Sequence, residues 1–261
     1  MMDNKVEHIK PYGEDGSKAA QVEQMFDTIA PAYDFMNRAM TLGIDRWWRR
    51  VAVRRVRRHL DHAGDGVAAQ LLDVATGTGD FALQLYAAMR PTHVTGIDLS
   101  QGMMDVARRK VAQRGLESDI TFQQADCLAL PFDEGKFDAV TVAFGVRNFE
   151  HIEQGYREMF RVLRPGGMLC VVELSTPTNA VIRWFYDLYT LHIIPFIGSL
   201  KSGDSSAYRY LPLSIAAVPQ GEAMLDLMRS AGFEQCQVKR LTLGTCSIYT
   251  AVKGPVDSHI I

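Results

Sequence analysis

A glycine-rich turn between a buried strand and a helix carries the clearest chemical signal in the sequence. Residues 72–80 read LDVATGTGD, in which Gly77 and Gly79 allow backbone torsions and a close ligand approach that a side chain would block. A Gly-x-Gly pair alone is equally typical of a tight turn that binds nothing. Asp98, however, ends the next predicted strand about 20 residues later, where a carboxylate can accept hydrogen bonds from both hydroxyls of a ribose. Together these residues predict a site for a nucleotide-like ligand.

The charges around this turn distinguish two ligands that share its geometry. A dinucleotide places its pyrophosphate at the helix N-terminus. Asp73 and Asp80 flank the turn, and each would cost about 1 to 4 kcal/mol against an anion at about 4 Å. The same carboxylates favour a cation. S-adenosylmethionine carries a sulfonium and an amino group and no phosphate, so it fits this turn better than a nicotinamide dinucleotide.

The third predicted strand leads into further candidates for this ligand. Asp126 and Cys127 follow it in the segment ITFQQADCLALPF, where a side-chain acceptor and a backbone amide can meet the edge of an adenine. On spacing alone, Asp126 is about as well explained as a loop or capping carboxylate. Ser100 is predicted to cap the helix that follows Asp98. The full set of predicted cofactor-binding residues is Asp73, Gly77, Thr78, Gly79, Asp98, Asp126, Cys127 and Ala143.

The elements that position these residues form a regular series. After residue 65, short apolar strands alternate with amphipathic helices, which predicts a doubly wound α/β fold with a mostly parallel sheet. The predicted strands span 67–75, 93–97, 120–124, 137–144 and 168–174, and the predicted helices span 81–89, 103–114, 152–163 and 223–230. Two last runs, 234–240 and 245–253, predict a terminal β-hairpin that closes the sheet with an antiparallel edge.

The flanking segments suggest a division of the chain. We expect a helical N-terminal extension over 1–64, a cofactor-binding core made of 65–175 and 219–254, and an aromatic-rich insertion over 176–218 that caps the substrate site. The most apolar stretch, 181–200, is interrupted by Arg183 and Asp187 and by a histidine and a proline, whereas a membrane-spanning helix needs about 20 predominantly apolar residues. It is therefore not predicted to span a membrane.

Composition limits the partners and the compartment. The chain has 28 Lys plus Arg against 30 Asp plus Glu, and the formal charge of −2 gives no global attraction to nucleic acid. Its four cysteines include no C-x-x-C pair, which disfavours a zinc site and a disulfide framework. Residues 1–20 contain no apolar run of the kind found in signal peptides. We expect a cytoplasmic protein without a metal.

Several of these segments carry a family resemblance. The turn at 73–80, Asp98 and the segments 126–128, 130–132, 137–138 and 163–167 follow one another like the motifs of class I S-adenosylmethionine-dependent methyltransferases. Residues 33–48 (YDFMNRAMTLGIDRWW) and 161–175 (RVLRPGGMLCVVELS) resemble the two signatures of the ubiquinone/menaquinone biosynthesis C-methyltransferases, and 144–148 and 206–211 resemble further segments of that family. The resemblance covers about residues 21–253. Thr41, Asp45 and Arg164 depart from it, and Asp45, where a histidine is usual, leaves no histidine role there.

The resemblance implies a fold and a reaction. The sheet would have seven strands with the last antiparallel, S-adenosylmethionine would be the methyl donor, and the acceptor would be a ring carbon of a polyprenylated quinol. Demethylmenaquinol is the favoured acceptor because the family shares it. A bifunctional enzyme that also methylates 2-methoxy-6-polyprenyl-1,4-benzoquinol remains an alternative, since no residue visibly rejects either ring.

The predicted catalytic residues follow from this chemistry. Arg147, just past the fourth strand at the carboxyl edge of the sheet, is the candidate for stabilising the quinolate oxygen, directly or through water. Asn148, Tyr33, Asp34 and Asn37 could orient the ring. Structural alternatives exist, because Arg147 could instead pair with Asp34 or with the glutamate at position 150, and Asn37 could cap a helix.

Two segments suggest how the protein could bind an apolar substrate or contact a membrane that contains it. The aromatic residues of 181–200 could enclose an isoprenoid tail, dip into a bilayer face or form a plain core helix pair. Trp47 and Trp48 lie among seven arginines on a predicted helix, which resembles a membrane-surface helix or a solvated face. We therefore expect a transient contact with the inner face of the membrane, and a homo-oligomer remains open.

Three other functions compete with methylation of a quinol. A nucleic-acid methyltransferase is disfavoured by the net charge and by the absence of a recognisable RNA or DNA module. An NAD-dependent oxidoreductase is disfavoured by Asp73 and Asp80. A non-catalytic regulator that binds the cofactor remains an alternative.

Overall fold

A seven-stranded sheet forms the centre of the computed structural model, which describes residues 4–13, 15–63, 69–190 and 205–254. The strands are β1 (Gln70–Val74), β2 (His93–Asp98), β3 (Ile120–Gln124), β4 (Phe137–Ala143), β5 (Leu163–Leu174), β6 (Phe233–Leu241) and β7 (Cys246–Lys253). Their order across the sheet is β3-β2-β1-β4-β5-β7-β6. The doubly wound α/β fold and the terminal hairpin are therefore confirmed.

The hairpin joins the sheet through its second strand. β1 pairs in parallel with β2 and with β4, and β4 pairs in parallel with β5. β7 pairs antiparallel with both β5 and β6. β7 thus lies inside the sheet and β6 forms the edge, so the strand that runs against the others is covered on both sides by neighbours.

Nine α-helices are described around the sheet. They are α1 (Lys18–Ile29), α2 (Tyr33–Thr41), α3 (Asp45–Ala63), α4 (Asp80–Met89), α5 (Gln101–Ala112), α6 (Ile152–Val162), α7 (Ala180–Leu188), α8 (Ser205–Ala217) and α9 (Glu222–Ser230). Short 3₁₀ helices cover Lys5–His8, Val146–Asn148 and Thr242–Gly244. No helix among the described residues is long and apolar enough to cross a membrane, and residues 191–200 of the aromatic stretch lie outside the described residues.

The core has two large parts and one small one. Both faces of the sheet are buried: α6 and α9 contribute to the cluster on one face, and α3 and α4 contribute to the cluster on the other. A third cluster joins α1, α2 and α8 through Val22, Met25, Met36, Ala207 and Tyr210. These three helices therefore pack on one another, and residues of all three also line the pockets of the candidate site.

Candidate active site

Three adjoining pockets form the candidate site, and Tyr33 and Phe144 line all three. The nucleotide cleft has about 740 Å³ of empty space, its mouth included, and is lined by residues that include Gly77, Asp98, Asp126, Cys127, Ala143 and Asn148. The polar pocket is lined by residues that include Asp34, Asn37, Arg49, Asp73, Thr78 and Asp80. The apolar chamber has about 1560 Å³ by the same measure and is lined by residues that include Met36, Trp48, Arg147, Tyr186, Tyr189 and Tyr210.

The two glycines of the turn have different roles. Both adopt a positive φ, +55° at Gly77 and +76° at Gly79. Gly77 lines both the nucleotide cleft and the polar pocket, and a Cβ there would meet no atom within 4 Å. At Gly79 a Cβ would come within 2.9 Å of the Cβ of Ala107 and 3.1 Å of the ring of Phe122. Gly77 can therefore admit a ligand, whereas Gly79 allows the start of α4 to pack closely on its neighbours and lines none of the three pockets.

Asp98 lies at the end of β2 and faces the nucleotide cleft. Its Oδ2 accepts a hydrogen bond from the Gly77 amide at 2.8 Å and its Oδ1 accepts one from the Ser100 amide at 2.9 Å. Burial raises the pKa of this carboxyl to about 6. Ser100 caps α5, as the sequence predicts, by accepting from the amide of Met103. Asp98 is thus an oriented acceptor beside the glycine turn.

The opposite wall of the nucleotide cleft comes from the loop after β3. The Oδ1 of Asp126 accepts from the Leu128 amide at 2.9 Å, so the carboxylate both closes the loop and lines the cleft. Cys127 is buried beside it, and burial raises the pKa of its thiol well above the usual value. Helix α1 covers the cleft with Ala19, Val22, Glu23 and Phe26.

The polar pocket contains charges of both signs. Asp80 accepts a hydrogen bond from the Nζ of Lys110 at 2.7 Å and lies 3.5 Å from a guanidinium nitrogen of Arg49. The same Nζ lies 2.5 Å from Asp34, which also accepts from the Thr78 hydroxyl at 2.6 Å. Because Asp34 and Asp80 are each paired with a cation, the polar pocket places positive and negative groups next to one another.

Asp73 also lines the polar pocket, and both of its carboxylate oxygens accept hydrogen bonds from the protein. It is buried and accepts from the hydroxyls of Thr76 and Thr141, both at 2.7 Å. Burial raises its pKa to about 6, although the two hydroxyls act in the opposite direction. The two acids that the sequence analysis weighed against a pyrophosphate are therefore not equivalent, because the fold buries Asp73 and pairs Asp80 with cations.

The α2 residues are divided between the pockets. Asp34 lines the polar pocket and is not among the residues that line the apolar chamber. Its predicted role of orienting a ring is thus less direct than a role beside the glycine turn. Asn37 lines both pockets from within α2, whose N-cap is Ala32, so it does not cap that helix. Partial burial of Tyr33 raises the pKa of its phenol.

Arg147 lies at the border of the apolar chamber in the 3₁₀ turn Val146–Asn148. Its Nη1 donates to Glu173 Oε1 at 2.7 Å and to the Phe144 carbonyl, and its backbone amide donates to Glu173 Oε2 at 3.2 Å. Glu173 is therefore its partner, in place of the acids considered from the sequence. Burial alone would lower the pKa of Arg147, but Glu173, Tyr33 and Tyr210 together outweigh it, so the pKa is raised and the side chain stays cationic. The buried Nε has no hydrogen-bond partner among the described residues.

Neighbouring side chains complete the rim of the chamber. Asn148 lines both the nucleotide cleft and the chamber, and its Oδ1 accepts from the hydroxyl of Tyr210 at 3.2 Å. Tyr189 donates to the Met40 carbonyl at 3.0 Å. Glu173 and Tyr210 were not predicted from the sequence, although Glu173 stands in the segment VVELS that carried the family resemblance.

The arginine-rich helix α3 turns part of its length inward. Trp48 is buried and donates from Nε1 to the Thr242 hydroxyl at 2.7 Å. Arg49 is buried beside the ring of Phe144 and pairs with Asp45, the residue that replaces the usual histidine. The expectation that both tryptophans meet a surface holds only for Trp47, because α3 packs against β5 and α4.

Comparisons with known proteins agree on one group. Residues 14–253 match the model of a family described as the ubiE/COQ5 methyltransferase family. A demethylmenaquinone methyltransferase of Bacteroides fragilis is 48% identical over 247 residues, which cover 95% of this chain and 98% of that protein. A ubiquinone/menaquinone biosynthesis C-methyltransferase of Geotalea daltonii is 43% identical over 238 residues, 90% of this chain and 97% of that one. The crystal structure of the cyclase SpnF shares the fold with a TM-score of 0.67, at 20% identity over 91% of this chain and 96% of that one.

Proposed function

The chain belongs to the ubiE/COQ5 methyltransferase family, and on that premise we propose that it transfers a methyl group from S-adenosylmethionine to a ring carbon of demethylmenaquinol, giving menaquinol. The family membership makes the chain a methyltransferase with S-adenosylmethionine as its co-substrate. The main structural support for this proposal is that Tyr33 and Phe144 each line all three pockets: a cleft suited to a nucleoside, a polar pocket and a large apolar chamber.

The residues present suit S-adenosylmethionine. Gly77 leaves open space at the point where the nucleotide cleft meets the polar pocket. We assign Asp98 to the ribose hydroxyls and Asp126 with Cys127 to the adenine edge. We assign the polar pocket to the amino acid part of the co-substrate, because that group carries both charges and the pocket offers both. The residues assigned there are Asp73, Thr78, Ala143 and, from α2, Asp34.

The chemistry of the acceptor falls to the rim of the apolar chamber. When bound, S-adenosylmethionine supplies an electrophilic methyl group on a sulfonium. The quinol hydroxyl, with a pKa of about 10 like that of tyrosine, makes the adjacent ring carbon nucleophilic when it loses its proton to solvent. The bond from sulfur to the methyl group breaks as the carbon–methyl bond forms, S-adenosylhomocysteine leaves, and the ring carbon then gives up its proton to solvent as the ring regains aromaticity. Arg147 holds the resulting oxyanion, since it is cationic and its Nε has no partner among the described residues.

Alignment supplies a further share of the acceleration. Holding two reactants in line can be worth about 7 to 11 kcal/mol. Tyr33, Asn37 and Asn148 lie where the apolar chamber adjoins the other two pockets. We propose that they orient the quinol ring, while the surrounding tyrosines and aliphatic side chains enclose its prenyl chain.

The parts of the chain outside the sheet would serve this substrate. We propose that residues 1–64 and the insertion at 176–218 form the substrate side of a core made of 65–175 and 219–254. We also propose a cytoplasmic enzyme that touches the inner membrane face transiently, because its acceptor is a lipid and large apolar side chains are exposed on the chamber-lining elements α2, α7 and α8. Nucleic acid is not a proposed partner.

The test compares the two candidate quinols. Purified enzyme is incubated with S-adenosylmethionine and either demethylmenaquinol or 2-methoxy-6-polyprenyl-1,4-benzoquinol, and the methylated products are followed by mass spectrometry. Methylation of the first quinol is expected. Methylation of both would establish the bifunctional alternative, and methylation of neither would favour a cofactor-binding regulator. A deletion strain should accumulate demethylmenaquinone, and unchanged menaquinone there would refute the proposal.

A further inference from the structure

Lys18, the first residue of α1, is a fully buried lysine that the proposed chemistry does not use. Its Nζ donates to three backbone carbonyls, those of Val6 at 2.7 Å, Arg147 at 2.9 Å and Phe149 at 3.1 Å. Its backbone amide donates to Glu150 Oε1 at 3.1 Å. All three ammonium hydrogens are therefore directed at main-chain acceptors in and beside the turn that carries Arg147.

The electrostatic setting of this ammonium is unusual. Burial lowers the pKa of Lys18 to about 8, and the charges that act on it are Glu7 and Glu150, which raise the pKa, and Arg147, which lowers it. A buried cation facing another cation is costly to keep. An apolar side chain would avoid that cost but would remove the donor that the three carbonyls share, so the ammonium serves to hold those carbonyls in place.

Lys18 holds the Arg147 turn from the side opposite Glu173. Glu173 accepts hydrogen bonds from the backbone amide and the Nη1 of Arg147, and Lys18 donates to the Arg147 carbonyl. The turn is thus held between β5 on one side and α1 on the other. A shift of the carbonyl would move the guanidinium at the rim of the apolar chamber, and displacements of about 1 Å can cost about a hundredfold in rate.

The helix that begins at Lys18 is also the cover of the nucleotide cleft. Val22 and Phe26 of α1 line that cleft. The other end of α1 is fixed by Asp27, whose Oδ1 accepts from the Ser100 hydroxyl at 2.6 Å and from the Gly102 amide at 2.9 Å. One helix therefore contacts the cofactor side through its length and the Arg147 turn through its first residue.

We propose that Lys18 is a positioning residue for methyl transfer, which fixes the Arg147 turn against the first turn of α1 and so keeps the guanidinium of Arg147 aligned at the rim of the apolar chamber. This inference rests on the proposed function, because Lys18 acts through Arg147. Lys18 lines neither the nucleotide cleft nor the apolar chamber, so it would act on the quinol only through the Arg147 turn.

The test replaces Lys18 by methionine, which has a side chain of similar length but lacks the ammonium group that donates to the three carbonyls. The Lys18→Met enzyme should show kcat for demethylmenaquinol lowered at least about tenfold, with the KM for S-adenosylmethionine changed less than about threefold. Lys10→Met is the matched control, since Lys10 donates to the Gly16 carbonyl outside the site, and its kcat should equal that of the wild type. A KM change with unchanged kcat in Lys18→Met would overturn the proposal.

A double-mutant cycle separates positioning from general destabilisation. If Lys18 acts through Arg147, the variant Lys18→Met/Arg147→Ala should be no more than about threefold slower than Arg147→Ala alone. Fully additive losses would overturn the inference. If Arg147→Ala itself is as active as the wild type, the proposed function of Arg147 fails first, so the two failures are distinguishable.

Folding is checked on the same variants. Far-UV circular dichroism spectra of the variants should match that of the wild type. Their Kd values for S-adenosylhomocysteine should lie within about threefold of the wild-type value. Should Lys18→Met fail to fold, Lys18→Gln, which retains an amide donor, takes its place in the cycle. An unfolded Lys18→Gln would assign Lys18 a purely structural role and would also overturn the proposal.

Discussion

At the scale of single residues, the site depends on polar groups that the fold buries and pairs. Arg147 and Glu173 are 26 positions apart, and Lys18 lies 129 positions from the carbonyl that it holds. Local patterns in a sequence report which residues share a helix face or a strand, and they contain no information on partners so distant. For this reason neither of the two acids considered from the sequence as alternative partners of Arg147 is the one that pairs with it.

The proposed role of Arg147 as the cation that holds the quinol oxyanion predicts a change in turnover. In Arg147→Ala the oxyanion loses its cation, so turnover should fall at least about tenfold, while the affinity for S-adenosylmethionine should stay within about threefold, because Arg147 lines the apolar chamber and not the nucleotide cleft. Single-turnover rates and calorimetric binding measure the two effects. Arg157→Ala, an exposed arginine on α6, is the control and should behave like the wild type. Unchanged turnover in Arg147→Ala would sink the assignment.

If Asp98 binds the ribose hydroxyls as proposed, cofactor binding should depend on pH. Its pKa is raised to about 6, and only the ionised carboxylate can accept from both ribose hydroxyls while the two amides also donate to it. Cofactor affinity should therefore rise as pH increases through about 6. When the pH is lowered from about 7 to about 5, the Kd of S-adenosylhomocysteine should increase about tenfold. Calorimetry measures that slope, which should be absent in Asp98→Asn and present in Asp73→Asn. The opposite pattern would assign the titration to Asp73, whose pKa is also raised to about 6.

At the scale of elements, the periodicity of apolar residues was enough to predict the strands and most helix bounds. β3 begins and ends as predicted, and α4 differs by one residue at its start. β5 was predicted from 168 and begins at Leu163, because Leu163 already pairs with Phe137 before the register shifts. The family resemblance implied that the last strand is antiparallel, but the position of β7 between β5 and β6 was not predicted, since strand order is set by tertiary packing.

The glycine turn supports a prediction about one element. Gly77→Ala and Gly79→Ala each place a side chain at a positive φ, which costs about 1 to 2 kcal/mol. At Gly79 the added Cβ also meets Ala107 and Phe122, which should add about 1 to 3 kcal/mol. Urea unfolding should therefore show a larger loss of stability for Gly79→Ala, while Gly77→Ala should show the larger loss of cofactor affinity.

A matched control isolates the strain at this turn. Gly115 has a φ of +63°, and a Cβ added there would meet no atom within 4 Å. Gly115→Ala should therefore lose about 1 to 2 kcal/mol of unfolding free energy and bind S-adenosylhomocysteine like the wild type. Equal stability losses in Gly79→Ala and Gly115→Ala would show that the contacts of α4 do not require a glycine at position 79.

At the scale of the whole molecule, the net charge of −2 is an average over unlike surfaces. The polar pocket is acidic but paired, α3 exposes arginines along one side, and large apolar side chains remain exposed at the elements that line the apolar chamber. Examples are Leu42 at the end of α2, which is 85% exposed, and Trp184 and Phe185 on α7. The sequence indicated an apolar substrate, but the meeting of the three pockets at two side chains follows only from the fold.

These exposed side chains provide a test of the proposed membrane contact. The rings of Trp184 and Phe185 lie edge to face with centroids 4.8 Å apart, and both are more than half exposed. Aromatic side chains of this kind insert at the lipid interface, whereas arginines add attraction to anionic headgroups. Trp184→Ser/Phe185→Ser should therefore reduce sedimentation with phosphatidylglycerol vesicles at least about fivefold, with Tyr12→Ser as the control on the N-terminal segment.

The double variant Trp184→Ser/Phe185→Ser also separates membrane contact from catalysis. Turnover on a demethylmenaquinol with a short prenyl chain, supplied in detergent, should stay within about twofold of the wild type, because neither ring lines the apolar chamber. Turnover on the long-chain quinol in vesicles should fall together with vesicle binding. If Trp184→Ser/Phe185→Ser sediments with vesicles like the wild type while Arg50→Gln/Arg54→Gln does not, α3 and not α7 makes the contact. If both sediment unchanged, the lipid is delivered by a different surface.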